Sequence, residues 1–317
     1  MTARVTRGIR AAKDDGITFY PVERLGNQLF TYAAGLAQAR RLGCPYYVNL
    51  GFYRRRRPAR AHGKSFDLDA FDNGVTVPEG DAYHRPPLLA LPSVPAAQLW
   101  HRQVAPRVPA LTPPVFAEGS FTYDERIQRI GLGTTILGHF QSWRYFDEIG
   151  DEIRARMSHL VAPSDWFRQM SQVVHPGRGS VVLHVRRGDY VLPEQQRVQG
   201  LATKDYYVRA LDVLRRLGFD GTVFLASDSL DLAIKELNGV ADVVPIDPPP
   251  GTRDFEVLLM LSRADALVAA NSSFSWWAGY IGSRPGHVVI APRPWMTTAD
   301  LDTRDLLPKD WLTLDRT

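Results

Sequence analysis

What this chain of 317 residues lacks removes several classes of function at the outset. It has one cysteine, Cys44, so an intrachain disulfide and a cysteine-rich zinc site are both excluded. No run of about 18 apolar residues occurs, and no membrane-spanning helix is expected. Residues 1–20 are charged and hold no continuous apolar stretch, so no secretory signal is expected either. Neither sign of charge dominates: 38 Lys and Arg against 34 Asp and Glu leave +4, with a pI near 9.2. A balance so mildly basic suits a small anionic ligand at least as well as nucleic acid. There is no internal repeat and no low-complexity tract. Neither a Walker A loop nor Gly-x-Gly-x-x-Gly is present, and no carboxylate cluster shows magnesium-site spacing. Together these absences point to a reducing compartment, the cytoplasm, with the protein free or at a membrane surface.

What is present builds cores. The apolar share is 44% with seven tryptophans, and the length suits roughly two domains. After a basic leader over residues 1–15, residues 17–22 read as a strand. Residues 23–27 read as a turn and a helix follows from Leu29, with Leu29, Tyr32, Ala33, Leu36 and Ala37 on one face and Gly43 as its stop. Residues 46–49 form a second strand, and the strand–helix–strand order implies a parallel sheet. Residues 51–115, carrying Arg54–Arg57 and a proline-rich stretch, read as an irregular folded insertion. Strand 135–140 and helices over 147–157 and 165–174 follow. The second half alternates more cleanly: strands at 180–185, 222–226, 241–244, 266–270 and 287–291, with helices near 204–217, after 229, at 254–263 and at 276–281. This is the pattern of a doubly wound nucleotide-binding domain. The expected division is 16–165, an α/β domain with the insertion, and 166–317, a Rossmann-like domain.

Three polar clusters stand at strand ends of the second half: Arg186, Arg187 and Asp189; Ser227 and Asp228; and Asn271, Ser272 and Ser273. In an open α/β sheet such ends converge on one crevice. The run from Leu183 to Tyr190 is the most informative: a buried strand delivers two guanidinium groups, whose fork matches phosphate oxygens. Gly188 beside them allows close backbone approach to a ligand. Asn-Ser-Ser is a helix N-cap that can also hold an anion. Arg-Arg with such a helix end would neutralise a diphosphate without metal. Asp189 is either the partner of the arginines or a general base, with Glu194 as the second candidate. In the first half, Leu25-Gly26-Asn27-Gln28-Leu29 places two side-chain amides at a strand–helix junction. Trp276 and Trp277 read as core, His139 as structural, and Arg54–Arg57 as a solvated surface rather than a nucleic-acid site, since no aromatic interleaving accompanies it.

Four ordered segments carry a family resemblance. The runs 24–33 (RLGNQLFTYA), 138–146 (GHFQSWRYF), 184–190 (HVRRGDY) and 270–277 (ANSSFSWW) resemble motifs of the α-1,2-fucosyltransferases, glycosyltransferase family 11. The resemblance implies a GT-B-like fold of two Rossmann-like domains facing a cleft, GDP-fucose as donor and inversion at the anomeric carbon. It also implies that no metal or other cofactor is needed. The acceptor would be a galactose-terminated oligosaccharide, fucosylated at O2. It implies Arg186 on the β-phosphate, and His184, Ser272 and Ser273 near the nucleotide; with the clusters read above, Asn27, Gln28, Arg187, Ser227, Asp228, Asn271 and Phe274 are further candidate substrate-binding residues, and domain 166–317 is expected to take the donor. Three departures stand out: Glu23-Arg24 replaces a common glycine pair, Ser229 replaces the second acid of a Ser-Asp-Asp type motif, and Val257 occupies the slot of an acid. Rival readings are a non-catalytic glycan- or nucleotide-sugar-binding protein with a degenerate site, and an RNA-binding module built on the Arg54 run.

Overall fold

The computed structural model describes residues 14–54, 65–80, 114–177, 179–188, 193–298 and 301–317, with residues 99 and 103. The leader over 1–13, Arg55–Arg57, most of the proline-rich insertion, Asp189 and Tyr190 lie outside the described residues. The chain divides into two units, Met1–Phe66 with Gly74–Ile149, and Asp67–Asn73 with Gly150–Thr317.

The first unit is built on a parallel sheet of β1 (Ile17–Phe19), β2 (Tyr46–Val48), β3 (Val115–Ala117) and β4 (Thr135–Leu137), in the order β2-β1-β4-β3. Phe19 pairs with Val48 on one side and with Ile136 on the other. All residues of β1, β2 and β4 are buried, as expected of parallel strands covered on both faces. Helix α1 (Leu25–Leu42) packs against β1, and its buried stripe includes Leu25, Leu29, Tyr32, Ala33 and Leu36. It begins four residues earlier than the apolar pattern indicates, because Asn27 and Gln28 already donate their N–H groups to the Arg24 carbonyl. Gly43 ends it with φ 61°, its N–H capping the Ala39 and Arg40 carbonyls. Gly35 has no room for a β-carbon, because the Tyr46 ring lies against it and the Tyr46 hydroxyl donates to the Tyr32 carbonyl at 2.7 Å.

The second unit holds six parallel strands: β5 (Val181–Val185), β6 (Val223–Ser227), β7 (Val243–Pro245), β8 (Ala266–Val268), β9 (Val288–Arg293) and β10 (Leu312–Asp315). Their spatial order is β10-β9-β8-β5-β6-β7. Counted from β5, this is the 3-2-1-4-5-6 order of dinucleotide-binding sheets, with the topological switch point between β5 and β8. Every residue of β5 is buried. Val181, Leu183 and Val185 face a core with Tyr206, Tyr207, Ala210, Leu211 and Leu214 of the helix Lys204–Arg216. Each such large apolar side chain contributes about 1.5–3 kcal/mol on burial. Trp276 and Trp277 are fully buried and stand edge to face, with Trp276 Nε1 donating to the Leu306 carbonyl at 2.9 Å.

The division falls at Ile149–Gly150, earlier than the expected boundary at 165, and residues 67–73 join the second unit. Packing explains both. Ile153 and Met157 of the helix Gly150–Met157 are fully buried, Arg154 lies 5.1 Å from the Tyr280 ring centroid, and Phe71 stacks on Phe255 at 4.9 Å. The last strand, β10, went unpredicted; it lies at the sheet edge with little apolar content and takes its register from β9. Among the described residues no helix is long and apolar enough to cross a membrane.

Candidate active site

The site is built at the carboxyl ends of β5, β6 and β8. Parallel pairing sets Val185 opposite Ser227, so the residues that follow, Arg186 and Asp228, emerge side by side. Arg186 Nη1 lies 2.8 Å from Asp228 Oδ2, and the Arg187 backbone N–H donates to Asp228 Oδ1, also at 2.8 Å. One carboxylate thus orients a guanidinium and fixes the turn that carries it. A β-carbon on Gly188 would overlap the Asp228 carboxylate. Asp228 by itself therefore requires a glycine at this position.

The two arginines diverge. Arg186 has a partly exposed side chain. Arg187 is only 4% exposed: its Nε donates to Glu236 at 2.6 Å, Nη1 to the Arg186 carbonyl and Nη2 to the Ala202 carbonyl. Arg187 was expected among the substrate-binding residues; here all three of its guanidinium nitrogens are engaged by the protein.

Beyond β8 the chain turns sharply, with the Ser272 N–H on the Ala270 carbonyl, and enters the helix Ser273–Gly282. Ser272 caps it, its Oγ accepting from the Phe274 N–H at 3.3 Å. This helix N-terminus concentrates partial positive charge at the β8 strand end. Ser273 and Phe274 are half-buried there, and the Phe274 ring stacks on His184 at 5.5 Å. Burial, and secondarily the Arg186 charge, pushes the His184 imidazole down to about 3, so it is neutral at physiological pH. Ser227 Oγ accepts from the Ser229 N–H, shaping the turn below Asp228. Asn271 is 1% exposed, and its Nδ2 donates to the carbonyls of Gln199, Gly200 and Trp295. Glu256, next to the departing Val257, is similarly occupied, accepting from Ser164 and Arg253.

In the first unit the two amides also part ways. Gln28 is fully buried, its Nε2 donating to the Ser65 carbonyl at 2.7 Å and the Glu23 carbonyl at 3.3 Å. Asn27 stays half-buried, its Oδ1 accepting from Gln141 Nε2 at 2.7 Å. Sequence reasoning missed Gln141 and Glu118. Glu118 follows β3 directly and is 3% exposed; its Oε2 accepts from the His139 and Phe140 N–H groups at 2.8 and 2.7 Å. Burial pushes its carboxyl up to about 7, against the pull of those amides. The signal was present in Val115-Phe116-Ala117 followed by an acid, the same strand-then-polar-residue pattern read after β6. His139 stacks on Phe121, and burial lowers its pKa. The chain holds two Asp-x-Asp tripeptides, 67–69 and 300–302. Among the described residues no group of three or more His, Cys, Asp or Glu could hold a metal ion.

A 3-2-1-4-5-6 parallel sheet with an arginine and a capped helix N-terminus at its switch point is an arrangement suited to an anionic ligand on a Rossmann-like unit. The profile described as glycosyl transferase family 11 matches residues 124–315, and the chain belongs to that family. An α-1,2-colitosyltransferase of Escherichia coli is 27% identical over 302 residues, 92% of this chain and 96% of that one. A galactoside 2-α-L-fucosyltransferase of Caenorhabditis elegans is 26% identical over 183 residues, 55% of this chain and 50% of that one. Among solved structures, NodZ α-1,6-fucosyltransferase soaked with GDP-fucose aligns with a TM-score of 0.50 at 17% identity, over 85% of this chain and 93% of that one. The likeness is one of fold: GT-B-like, with two Rossmann-like units.

Proposed function

We propose that this glycosyltransferase moves L-fucose from GDP-fucose to O2 of a terminal galactose, with inversion. The observation that carries the reading is the Arg186 guanidinium, held by Asp228 at the switch point beside the Ser272 helix cap. In a single displacement the acceptor oxygen attacks the anomeric carbon as the bond to the β-phosphate oxygen breaks. The leaving GDP takes the electron pair, and the hydroxyl proton passes to a carboxylate, Asp189 first and Glu194 second. Arg186 opposes the charge that grows on the β-phosphate; preorganised charge of this kind is typically the largest catalytic term. His184, Phe274, Ser272, Ser273 and Ser227 surround the nucleotide, and Asn27 of the first unit serves the acceptor side.

The relative that covers most of the chain favours a second donor, since its name gives colitose, which is L-fucose without its 3-hydroxyl. The deciding experiment follows GDP release from GDP-fucose and GDP-colitose against a panel of β-galactosides, with NMR of the product and an EDTA arm. Fucose transfer with inverted anomeric configuration, undiminished by EDTA, is expected. Faster turnover of GDP-colitose would reassign the donor. GDP binding without transfer to any acceptor would leave a binding protein. Loss of turnover on chelation, restored by Mg²⁺, would overturn the role given to Arg186.

A further inference from the structure

The sheet of the first unit has its own switch point, between β1 and β4, and the groups there are not used by the leaving-group chemistry. After β4 the chain makes a turn through Gly138, His139 and Phe140, with Phe140 at φ 50°, a conformation unusual for a non-glycine residue. Three contacts hold it. Glu118 Oε2 binds the two consecutive N–H groups of His139 and Phe140. Gly138 offers no β-carbon, which would overlap Glu118. Thr31 Oγ1 donates to the Gly138 carbonyl at 3.2 Å, tying the turn to α1. The turn delivers Gln141, 7% exposed, with Nε2 on Asn27 Oδ1 at 2.7 Å. With its oxygen engaged, Asn27 keeps its Nδ2 amino group, a donor only, for other partners.

We propose that Gln141 is a positioning residue: it locks the Asn27 amide so that its NH₂ group is presented to an oxygen of the sugar substrate, and Glu118 anchors the turn that carries Gln141. That Asn27 meets substrate rests on the function proposed above. A side-chain amide can turn by 180° with little change of shape, so its neighbour decides which end faces outward. Gln141→Glu replaces the donor with an acceptor. The Asn27 amide must then reverse, giving its NH₂ to the new carboxylate and its oxygen to the ligand. When that carboxylate is protonated it can again donate to Asn27 Oδ1.

The test is kcat and KM for wild type, Gln141→Glu and Gln141→Ala between pH 8 and 5, with thermal unfolding of each. At pH 8, Gln141→Glu should lose on the order of tenfold or more in kcat, exceeding Gln141→Ala, at unchanged melting temperature. Its ratio to wild type should recover as pH falls through the carboxylate range. The neighbouring Glu118, His139 and Glu23 are common to all three proteins and cancel in that ratio. A ratio independent of pH, or equal losses in the two variants, would overturn the proposal. Side-chain amide hydrogen exchange of the ¹⁵N-labelled full chain gives a reading independent of turnover. Slow exchange at Gln141 Nε2 and fast exchange at Asn27 Nδ2 support the positioning even if no sugar is transferred. The reverse pattern overturns it in a fully active enzyme.

Discussion

At the β5–β8 switch point of the second unit the described groups beyond the strand ends include the Arg186 guanidinium and the positive Ser272 helix end, with the Asp228 carboxylate orienting the arginine. At the β1–β4 switch point of the first unit they are neutral amides, Asn27 and Gln141, above the buried acid Glu118. The topology is alike and the electrostatics are not. A guanidinium and a helix N-terminus match a diphosphate, whereas an amide pair can discriminate only neutral donors and acceptors such as sugar hydroxyls. The arrangement of buried acids separates the units too. Asp228 is paired with a cation, while Glu118 is buried against backbone N–H groups with no cation in its hydrogen bonds among the described residues, and burial pushes it up to about 7.

The strongest break of this comparison is Arg186→Lys. Lysine keeps the charge but loses the bidentate fork. Turnover should fall by roughly 10²–10³-fold, about 3–4 kcal/mol of transition-state stabilisation, with little change in melting temperature. Transfer kinetics and thermal unfolding measured side by side decide it. A near-normal kcat would move the leaving-group role to another cation. Arg187→Ala is the contrasting experiment. It removes three hydrogen bonds, one of them also the ion pair with Glu236, from a buried position, so stability should drop by about 3 kcal/mol. Loss of turnover in a variant of unchanged stability would restore Arg187 to the ligand.

These two arginines also show what the sequence could and could not reveal. The strand ending in a cationic pair was legible, as were the β-α alternation and the helix cap at Ser272, because buried parallel strands and caps have local signatures. The division of labour within the pair was not, since it depends on Glu236 and the Ala202 carbonyl, which reach Arg187 from other elements. Asn271 and Gln28 show the same dependence on distant partners. Their motif positions were read as ligand contacts, but their amides tie down the carbonyls of Gln199, Gly200 and Ser65, partners remote in sequence. Glu118 was missed because β3 is only three residues long and follows a proline-rich stretch. What sequence conveys well here is periodicity; what it hides is which polar groups the fold itself consumes.

A pH series sharpens the contrast of the acids. Glu118, raised from 4.5 to about 7, binds a proton more readily folded than unfolded. Its contribution is fully present below about pH 4.5 and is lost as pH rises through 7, at most about 3 kcal/mol. Glu118→Gln retains an acceptor for the two N–H groups and removes the titration. Its melting temperature relative to wild type should rise between pH 5 and 8. A difference that stays constant with pH would mean that the Glu118 carboxyl titrates in the ordinary range. His184 acts in the opposite direction: lowered to about 3, it favours the folded state above 6.5, and that stability is lost as pH falls toward 3. Comparing Glu118→Gln with wild type cancels that term.

The smallest effect expected is at the entrance to α1. Glu23 stands where the family commonly has glycine, and its φ is 63°, in the left-handed region that glycine enters without steric cost. The Glu23 carbonyl is held there by Gln28 Nε2 and by the Tyr53 hydroxyl, the latter at 3.0 Å. The turn therefore keeps its shape despite the substitution, with the strain borne by the backbone of Glu23. Relieving it with Glu23→Gly gains about 1–2 kcal/mol, partly offset by the greater freedom of glycine in the unfolded chain. The net expectation is stabilisation by about 0.5–1 kcal/mol, read as a small rise in the unfolding midpoint, with Asn27 and hence turnover unaffected. Destabilisation by Glu23→Gly would show that the side chain of Glu23 contributes contacts outweighing its backbone strain. A fall in kcat without loss of stability would place Glu23 in the chemistry of the first unit, beside Asn27 and Gln141, and make that switch point less neutral than its amides suggest.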